Sequence, residues 1–387
     1  MEFSFNEAVL DDPDALAAGD PSDMLRAVAT SGAQIREMTT YTAEAGIEVL
    51  AEDRPRAVIL SAVGSSAAAC EVLRALVGDD VHLPLIDVPG PVLPRWVGPL
   101  DLVIAVSRSG TAQPTLSVVA EAGRRGCRVV TVAAPGSPLA HACDRVHGLH
   151  IPADRAARHT RASLWALVTP LLAIADLLGL AVVPAEELAL AADRLDKVAE
   201  TCRPSSESFV NPAKQLALEI AGSIPVIWGA GQLCRTAAKR FARQLHANAK
   251  YPALDGGLQE AAHGSVALFD GPFATSAPSD IFCDPLDSGS GPPFPRLRVV
   301  LLRDAMESPP DAALRAAAET LATDRGIRLS EILADAGQPL ERLAQFIALG
   351  DFASIYLALG LGVDPGATPA VLEMKDRVSQ LFRGIDR

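Results

Sequence analysis

The sequence predicts an α/β protein with two doubly wound lobes, each a mostly parallel sheet flanked by helices, behind a helical N-terminal leader. Short, uninterrupted apolar runs alternate with amphipathic stretches, which is typical of parallel strands buried on both faces. The alternation stops at a polar stretch and then starts again, and 387 residues are too many for one ordinary core. We therefore expect a leader at residues 1–55, a first lobe at 56–200 and a second lobe at 201–387.

The leader and the first lobe follow from the spacing of apolar residues. In the leader, residues 23–29 and 35–50 carry apolar positions at three-to-four spacing, which predicts helices. The apolar runs of the first lobe predict strands, which are Ala57–Val63, Val81–Val88, Leu102–Val106, Val129–Ala133 and Val146–Ile151. The amphipathic stretches predict helices over Ala67–Val77, Pro114–Arg125, Thr160–Leu180 and Ala185–Ala199.

The second lobe begins after Cys202-Arg-Pro-Ser-Ser-Glu-Ser, a polar stretch with a proline that is typical of a boundary. Its apolar runs predict strands at Ile224–Gly229, near Val266–Phe269 and at Leu297–Leu302. Its helices are predicted at Pro212–Ala221 and Leu233–Leu245, with two or three more that end with Pro369–Phe382. The stretch Ser276–Pro295 is rich in Pro, Gly and Ser and is predicted to be a loop.

Composition excludes several classes of protein. A net charge of −13 repels polyanions, and a content of only 4% aromatic residues argues against a base-stacking surface, so we expect no nucleic-acid partner. The six cysteines form no CxxC pair, which argues against a disulfide framework or a metal site. The acidic N-terminus lacks a signal-peptide pattern, and the apolar stretch at 164–180 is interrupted and short. We expect a cytoplasmic protein with no membrane partner.

Two turns of the first lobe carry the chemistry. Leu60-Ser-Ala-Val-Gly-Ser-Ser-Ala and Val103-Ile-Ala-Val-Ser-Arg-Ser-Gly-Thr each lead from a strand through small residues toward a helix. Both turns lie at the carboxyl ends of parallel strands, where open α/β sheets bind ligands. Hydroxyls and unpaired helix-terminal amides there suit a phosphate. The candidate phosphate-binding residues are Gly64, Ser65, Ser66, Ser107, Ser109, Thr111 and Thr115.

These turns resemble a known family. Neither is a Walker A loop or a dinucleotide fingerprint, but Ser107-Arg-Ser-Gly-Thr resembles the Ser-x-Ser-Gly-Asn-Thr signature of SIS domains, which bind phosphosugars. Segments farther along resemble the dual phosphoglucose/phosphomannose isomerases, in order from about residue 55 to 380. They are Asn211-Pro-Ala-Lys-Gln-Leu-Ala, Asn248-Ala-Lys, Gln259-Glu-Ala-Ala-His and Gly362-Val-Asp-Pro-Gly-Ala-Thr-Pro through Lys375.

The resemblance implies an aldose–ketose isomerase with two SIS-type lobes. Such an enzyme interconverts glucose 6-phosphate or mannose 6-phosphate with fructose 6-phosphate through a cis-enediol, and needs no metal or organic cofactor. By the same resemblance Arg161 is the substrate-side arginine, His263 the ring-opening histidine and Lys375 the C-terminal active-site lysine. Sites in this fold form where two subunits meet, so we expect a homodimer.

Two positions depart from the family pattern. The segment His246-Ala-Asn-Ala-Lys places Ala247 where the family carries its base glutamate, and Ala112 replaces a threonine that donates to phosphate. Loss of a general base typically costs about 10²–10⁴-fold in rate. Glu260 and His246 are candidate substitute bases. The alternative is a sugar-phosphate-binding SIS protein with little or no turnover and a regulatory or partner role. A SIS transcriptional regulator needs a basic helix-turn-helix, which the acidic leader lacks.

Overall fold

The computed structural model describes residues 5–153, 159–274 and 295–385. Within them the chain forms two parallel β-sheets flanked by helices, which confirms the predicted α/β class. The strands of the five-stranded sheet are β1 (Val58–Ala62), β2 (Leu85–Asp87), β3 (Leu102–Ser107), β4 (Arg128–Ala133) and β5 (Leu149–Pro152). The strands of the four-stranded sheet are β6 (Ser223–Gly229), β7 (Leu254–Gly257), β8 (Arg296–Arg303) and β9 (Arg328–Leu333).

The helices cover both sheets and close the chain. Before and within the first lobe they are α1 (Pro13–Gly19), α2 (Met24–Ala29), α3 (Ser31–Glu44), α4 (Ala67–Val77), α5 (Gln113–Arg124), α6 (Pro138–Arg145), α7 (Leu164–Leu177) and α8 (Ala185–Thr201). After the boundary stretch they are α9 (Pro212–Ile220), α10 (Gly231–Gln244), α11 (Leu258–Ala261), α12 (Pro309–Asp324), α13 (Pro339–Gly360) and α14 (Pro369–Ile385).

The first sheet follows the predicted alternation closely. Its strand order is β2-β1-β3-β4-β5, and every pairing is parallel. All residues of β1 and β3 are buried, as expected for strands that helices cover on both faces. The predicted strand Val81–Val88 is shorter in the structure, because only Leu85–Asp87 pairs with β1. The strand that follows β1 in the chain, β2, lies on one side of the β1–β3 pair, and the strand that follows β3, β4, lies on the other, so the connections after β1 and β3 run in opposite directions.

The second sheet differs from the prediction at both edges. Its order is β7-β6-β8-β9. The predicted strand at Val266–Phe269 is wrong, because residues 265–270 form a 3-10 turn in which only Phe269 is buried, with its ring 5.4 Å from that of Trp228. The edge strands β7 and β9 were not predicted. The predicted loop at 276–295 lies, except for Pro295, outside the described residues.

One hydrophobic core joins the two halves of the chain. Helix α13 packs against α8, α9 and α10, and α10 also contacts α4 of the first lobe. At the surface of that last contact, Glu71 accepts hydrogen bonds from Arg243 at 2.8 and 3.0 Å and pairs with Lys239 at 2.9 Å. Of the described helices, α13 alone is long and apolar enough to cross a membrane, and 89% of its apolar window is buried inside the protein.

The leader packs on this core instead of standing apart. Helix α3 contacts α7 and α8, and α2 contacts α8 and α13. The buried Gln34 side chain donates to the Ala162 carbonyl at 2.8 Å and accepts from the Ala166 amide at 3.3 Å. The leader thus supports the segment 160–166, which carries one of the predicted site residues.

A buried lysine ties the leader to the stretch between the lobes. The Lys214 side chain is 0% exposed, and its Nζ donates to the carbonyls of Pro204 and Ser206 at 2.8 and 2.6 Å. The same Nζ lies 3.6 Å from Asp11 Oδ1 and 5.4 Å from the centre of the Tyr356 ring. Burial lowers the pKa of Lys214, against the opposing effect of Asp11.

Candidate active site

The two serine-lined turns meet at the carboxyl edge of the first sheet. Residues Gly64–Ser66 form a 3-10 turn after β1, and Ser107 ends the neighbouring strand β3. The backbone N–H of Arg108 donates to Ser66 Oγ at 3.2 Å, so the turns are in direct contact. This point, where consecutive connections leave the sheet in opposite directions, is where open α/β sheets bind ligands. We call residues 64–66 and 107–111 together the cradle.

Glycine is required in the second turn of the cradle. Gly110 has a φ of +66°, and a Cβ built there would lie 2.1 Å from Ser137 Oγ. Gly64 also has a positive φ of +62°, but no atom would lie within 4 Å of its Cβ. The chain at Gly110 therefore approaches the N-terminus of α6 closely, whereas the chain at Gly64 faces open space.

The predicted phosphate ligands differ in access to solvent. Ser65, Ser109 and Thr111 are exposed, and the last two share a hydrogen bond of 2.9 Å between their hydroxyls. Ser66 and Ser107 are buried beneath them. Thr115 is 0% exposed, and its Oγ1 has no hydrogen-bond partner among the described residues. Its hydroxyl therefore does not line the open face of the cradle.

Arg161 lies beside the cradle. The 3-10 turn Thr160–Ala162 that carries it contacts the turn Gly64–Ser66. Its Nε donates to Asn248 Oδ1 at 3.0 Å, and its Nη2 donates to the carbonyls of Pro365 and Gly366 at 2.7 and 3.1 Å. Burial lowers the pKa of Arg161, and the charge of Asp364 opposes that shift. The structure thus brings the first lobe, residues 245–250 and the segment before α14 together at one guanidinium.

The segment with the altered base position forms a π-helical turn, Leu245–Ala249. Ala247 is half-buried in this turn, and the neighbouring Asn248 is fully buried. His246 is exposed and its Nε2 lies 3.1 Å from the Ala253 carbonyl. Because residues two positions apart on a helical turn point to roughly opposite sides, His246 faces away from the Asn248–Arg161 contact. Turns of this kind are frequent at functional sites.

Two polar residues of this segment belong to the Asn-Ala-Lys motif, but the sequence did not predict them to be site residues. Asn248 accepts from Arg161 and donates to Ser354 Oγ at 2.9 Å. Lys250 has a φ of +53°, and its Nζ donates to the carbonyls of Asn248 and Asp364 at 3.0 and 2.7 Å. Burial and the nearby charge of Arg161 lower the pKa of Lys250. The motif Asn-Ala-Lys was the available signal for both.

A buried polar network lies beneath Arg161 and was not predicted. Asp351 on α13 accepts from Arg240 at 3.0 and 2.6 Å and from Gln244 Nε2 at 3.0 Å. Burial raises the pKa of the Asp351 carboxyl, while Arg240 and Gln244 oppose that rise. Arg240 also donates to the Arg161 carbonyl at 3.0 Å. Residues 111 positions apart in the sequence meet here, so no local pattern indicates the pair.

The remaining predicted residues lie on other elements, namely on α11, just after it and on α14. Glu260 on α11 is exposed and forms an ion pair of 2.5 Å with Arg235. His263, just after α11, is exposed, and so is Lys375 on α14. Neither side chain makes a hydrogen bond to a described residue of the same chain. Across the described ranges, no group of three or more His, Cys, Asp or Glu side chains could hold a metal ion.

Comparisons with known proteins agree with this architecture. Residues 209–378 match the family described as bacterial phosphoglucose isomerase C-terminal SIS domain. The chain is 25% identical to a bifunctional phosphoglucose/phosphomannose isomerase of Caldicellulosiruptor bescii, over 90% of this chain and 96% of that one. It is 24% identical to the enzyme of the same name from Aquifex aeolicus, over 74% of this chain and 79% of that one.

A solved structure shares the fold of this chain. The crystal structure of a glucose-6-phosphate isomerase from Chlamydia trachomatis matches with a TM-score of 0.70 at 10% identity, over 98% of this chain and 86% of that one. At this identity the match concerns the fold alone. The family match and the two sequence relatives confirm the SIS resemblance that the downstream motifs predicted.

Proposed function

We propose that this chain, a SIS-domain relative of the bifunctional phosphoglucose/phosphomannose isomerases, binds a hexose 6-phosphate. It interconverts the aldose with fructose 6-phosphate. The phosphoryl group lies on the cradle, and the sugar extends toward Arg161. The observation that carries this proposal is the direct contact between the two serine-lined turns, with the Arg161 turn beside them. The exposed hydroxyls of Ser65, Ser109 and Thr111 supply donors to the phosphoryl oxygens.

Once the sugar ring has opened, the isomerisation moves protons only. In the aldose-to-ketose direction, a base takes the proton from C2, O1 takes up a proton, and a cis-enediol forms. A proton is then delivered to C1 while the C2 hydroxyl loses its own proton and becomes the carbonyl. Arg161 stabilises the negative oxygen that develops, since its half-buried guanidinium is held in place before the reaction by three hydrogen bonds. No metal or organic cofactor takes part in this scheme.

One observation favours a second candidate, a sugar-phosphate-binding protein with little turnover. Ala247 offers a methyl group next to Asn248, where the family base stands. The substitute bases are held elsewhere, Glu260 in its ion pair with Arg235 and His246 at the Ala253 carbonyl. Either base must leave its present partner before it can reach a sugar beside Arg161. The binding role and the isomerase role therefore share the cradle and differ only in the base.

A second copy of the chain completes the site in this proposal. His263 and Lys375 are exposed, which suits residues that act across a subunit interface. Helix α14 also exposes apolar side chains at three- and four-residue spacing, namely Val371, Met374 and Val378. An exposed apolar stripe of this kind indicates a protein–protein contact. The location remains the cytoplasmic one that the sequence predicts.

A coupled assay with glucose 6-phosphate, mannose 6-phosphate and fructose 6-phosphate tests the proposed function. Turnover above background that falls in Glu260→Gln or His246→Ala supports the isomerase and locates its base. Glu331→Gln is a matched control, since Glu331 is an exposed glutamate paired with Arg303 at 3.2 Å. No turnover, with hexose 6-phosphate still bound at the cradle, supports the binding role. Absence of both binding and turnover contradicts the proposal.

The dimer is tested by mixing two inactive variants. If His263 acts across the interface, His263→Ala and Arg161→Ala chains regain part of the activity when they are refolded together, because a mixed dimer contains one intact site. In the absence of turnover, binding of fructose 6-phosphate replaces activity as the readout. A monomer in sedimentation at the concentration of the assay contradicts this part of the proposal.

A further inference from the structure

Two residues on one turn of α13 support Arg161 indirectly, each through a residue that hydrogen-bonds to it. The first connection runs through its backbone. Arg240 donates one N–H to the Arg161 carbonyl at 3.0 Å, and its other bonds, at 3.0 and 2.6 Å, are to both carboxylate oxygens of Asp351. Gln244 adds a third bond to Asp351 at 3.0 Å. Asp351 therefore fixes the position of the Arg240 guanidinium, and Arg240 fixes the Arg161 backbone.

The second connection runs through the Arg161 side chain. Asn248 accepts from Arg161 Nε at 3.0 Å, and its own Nδ2 donates to Ser354 Oγ at 2.9 Å. The Ser354 hydroxyl in turn donates to the Asp351 carbonyl at 2.7 Å. Asp351 and Ser354 are three residues apart and so lie on the same face of α13. One helical face thus supports both the carbonyl and the guanidinium of Arg161.

Stability alone does not account for this network. The side chains of Arg240 and Asp351 are each 6% exposed, and α13 is otherwise largely apolar. A buried ion pair is weak evidence for a stabilising role, because apolar residues of similar volume often stabilise a fold as much or more. The pair lies where α10 and α13 pack together, a contact that apolar residues could fill. What apolar residues could not do is donate to the Arg161 carbonyl.

We propose that Asp351 is a positioning residue that acts through Arg240 on Arg161, and that Ser354 acts in parallel through Asn248. The proposal rests on the proposed function, since Arg161 is taken to contact the sugar end of a hexose 6-phosphate. The phosphoryl end is held by the cradle, and the hydrogen bonds of the network described above lead to Arg161 and not to the cradle serines. Loss of Asp351 should therefore weaken binding of the sugar without weakening binding of inorganic phosphate.

Calorimetric titration of the full-length chain with fructose 6-phosphate and with inorganic phosphate tests this. Arg161→Ala should lose about 10–100-fold in affinity for fructose 6-phosphate, the effect of one hydrogen bond to a charged group. Asp351→Asn should lose about tenfold and leave the affinity for phosphate unchanged. In an Arg161→Ala background the same Asp351→Asn change should cost less than about twofold, since residues that act through one another are not additive.

Glu307→Gln is the matched control. Glu307 pairs with Arg315 of α12 at 2.8 Å, and the two side chains are 9% and 11% exposed, but the hydrogen bonds of Arg315 go to Glu307 and Glu319 and not to Arg161. This variant should lower the free energy of unfolding and leave both affinities unchanged. If Asp351→Asn does not fold, Ser354→Ala replaces it, because it removes one hydroxyl and leaves the ion pair intact.

The outcomes separate the two proposals. Equal weakening of fructose 6-phosphate and phosphate, or an undiminished Asp351→Asn effect without Arg161, would overturn the positioning role and leave the proposed function standing. A wild-type chain that binds neither ligand overturns the proposed function and the positioning role with it. Selective, non-additive loss of sugar affinity supports both.

Discussion

The substitution Ala247→Glu tests the account of the altered base position. Ala247 is half-buried in the π-helical turn, next to Asn248, which contacts Arg161 Nε at 3.0 Å. The cationic Arg161 and Lys250 lie nearby and favour the ionised carboxylate over its neutral form. The new side chain should therefore be available as a base at neutral pH.

The expected gain follows from the usual effect of a positioned base. General base catalysis contributes about 10²–10⁴-fold, which corresponds to about 3–5 kcal/mol of activation free energy. The coupled assay should show this gain in kcat, with little change in the affinity for fructose 6-phosphate. Ala247→Gln is the matched control, because it has nearly the same size and no basic group. If Ala247→Glu is no faster than Ala247→Gln while both bind hexose 6-phosphate, the assignment of position 247 is wrong.

Three further predictions concern the described structure. Gly110→Ala should lower the free energy of unfolding in urea by about 2–5 kcal/mol, because the new Cβ would collide with Ser137 and the backbone is left-handed. Gly64→Ala should lower it by only about 1–2 kcal/mol, because the backbone is left-handed there too but no atom lies near the new Cβ. Equal losses would contradict this difference between the two turns. Lys214→Met leaves the carbonyls of Pro204 and Ser206 without their donor and should lower the free energy of unfolding by about 2–5 kcal/mol. The matched control Lys197→Met, at an exposed lysine, should lower it by less than about 0.5 kcal/mol. A loss at Lys214 as small as that of the control would contradict its structural role. Burial raises the pKa of five thiols, those of Cys70, Cys127, Cys143, Cys202 and Cys234. In a Cys283→Ser variant, a thiol reagent should therefore modify the chain only after it is unfolded in guanidinium chloride. Rapid labelling of the folded chain would contradict this.

The sequence predicted the parts of the fold that a local pattern encodes. The strand β1 and the helix α4 lie within a residue or so of their predicted limits, because a short apolar run and a three-to-four spacing determine them directly. Edge strands carry weaker patterns. Leu254–Gly257 consists of four residues and ends in two glycines, so its alternation could not be recognised. The apolar run at 266–269 resembled a strand, but only Phe269 finds a buried surface.

Of the candidate site, too, the sequence predicted only the parts that follow from a local pattern. Both turns were predicted at the carboxyl ends of parallel strands, and they lie there; that the two strands are neighbours is a finding of the structure. The roles of its individual residues remain predictions. The support for Arg161 was not predicted, since Arg240, Asp351 and Asn248 come together only through the packing of α10 and α13. Such contacts depend on tertiary structure and leave no periodic signal in the sequence.

A crystal structure of the chain soaked with fructose 6-phosphate would show whether the cradle binds the phosphoryl group. We predict a phosphoryl group within hydrogen-bonding distance of Ser65, Ser109 and Thr111, with the sugar directed toward Arg161. A parallel soak with unphosphorylated fructose should leave the site without sugar. Fructose 6-phosphate bound elsewhere, or an empty cradle at millimolar ligand, would contradict it.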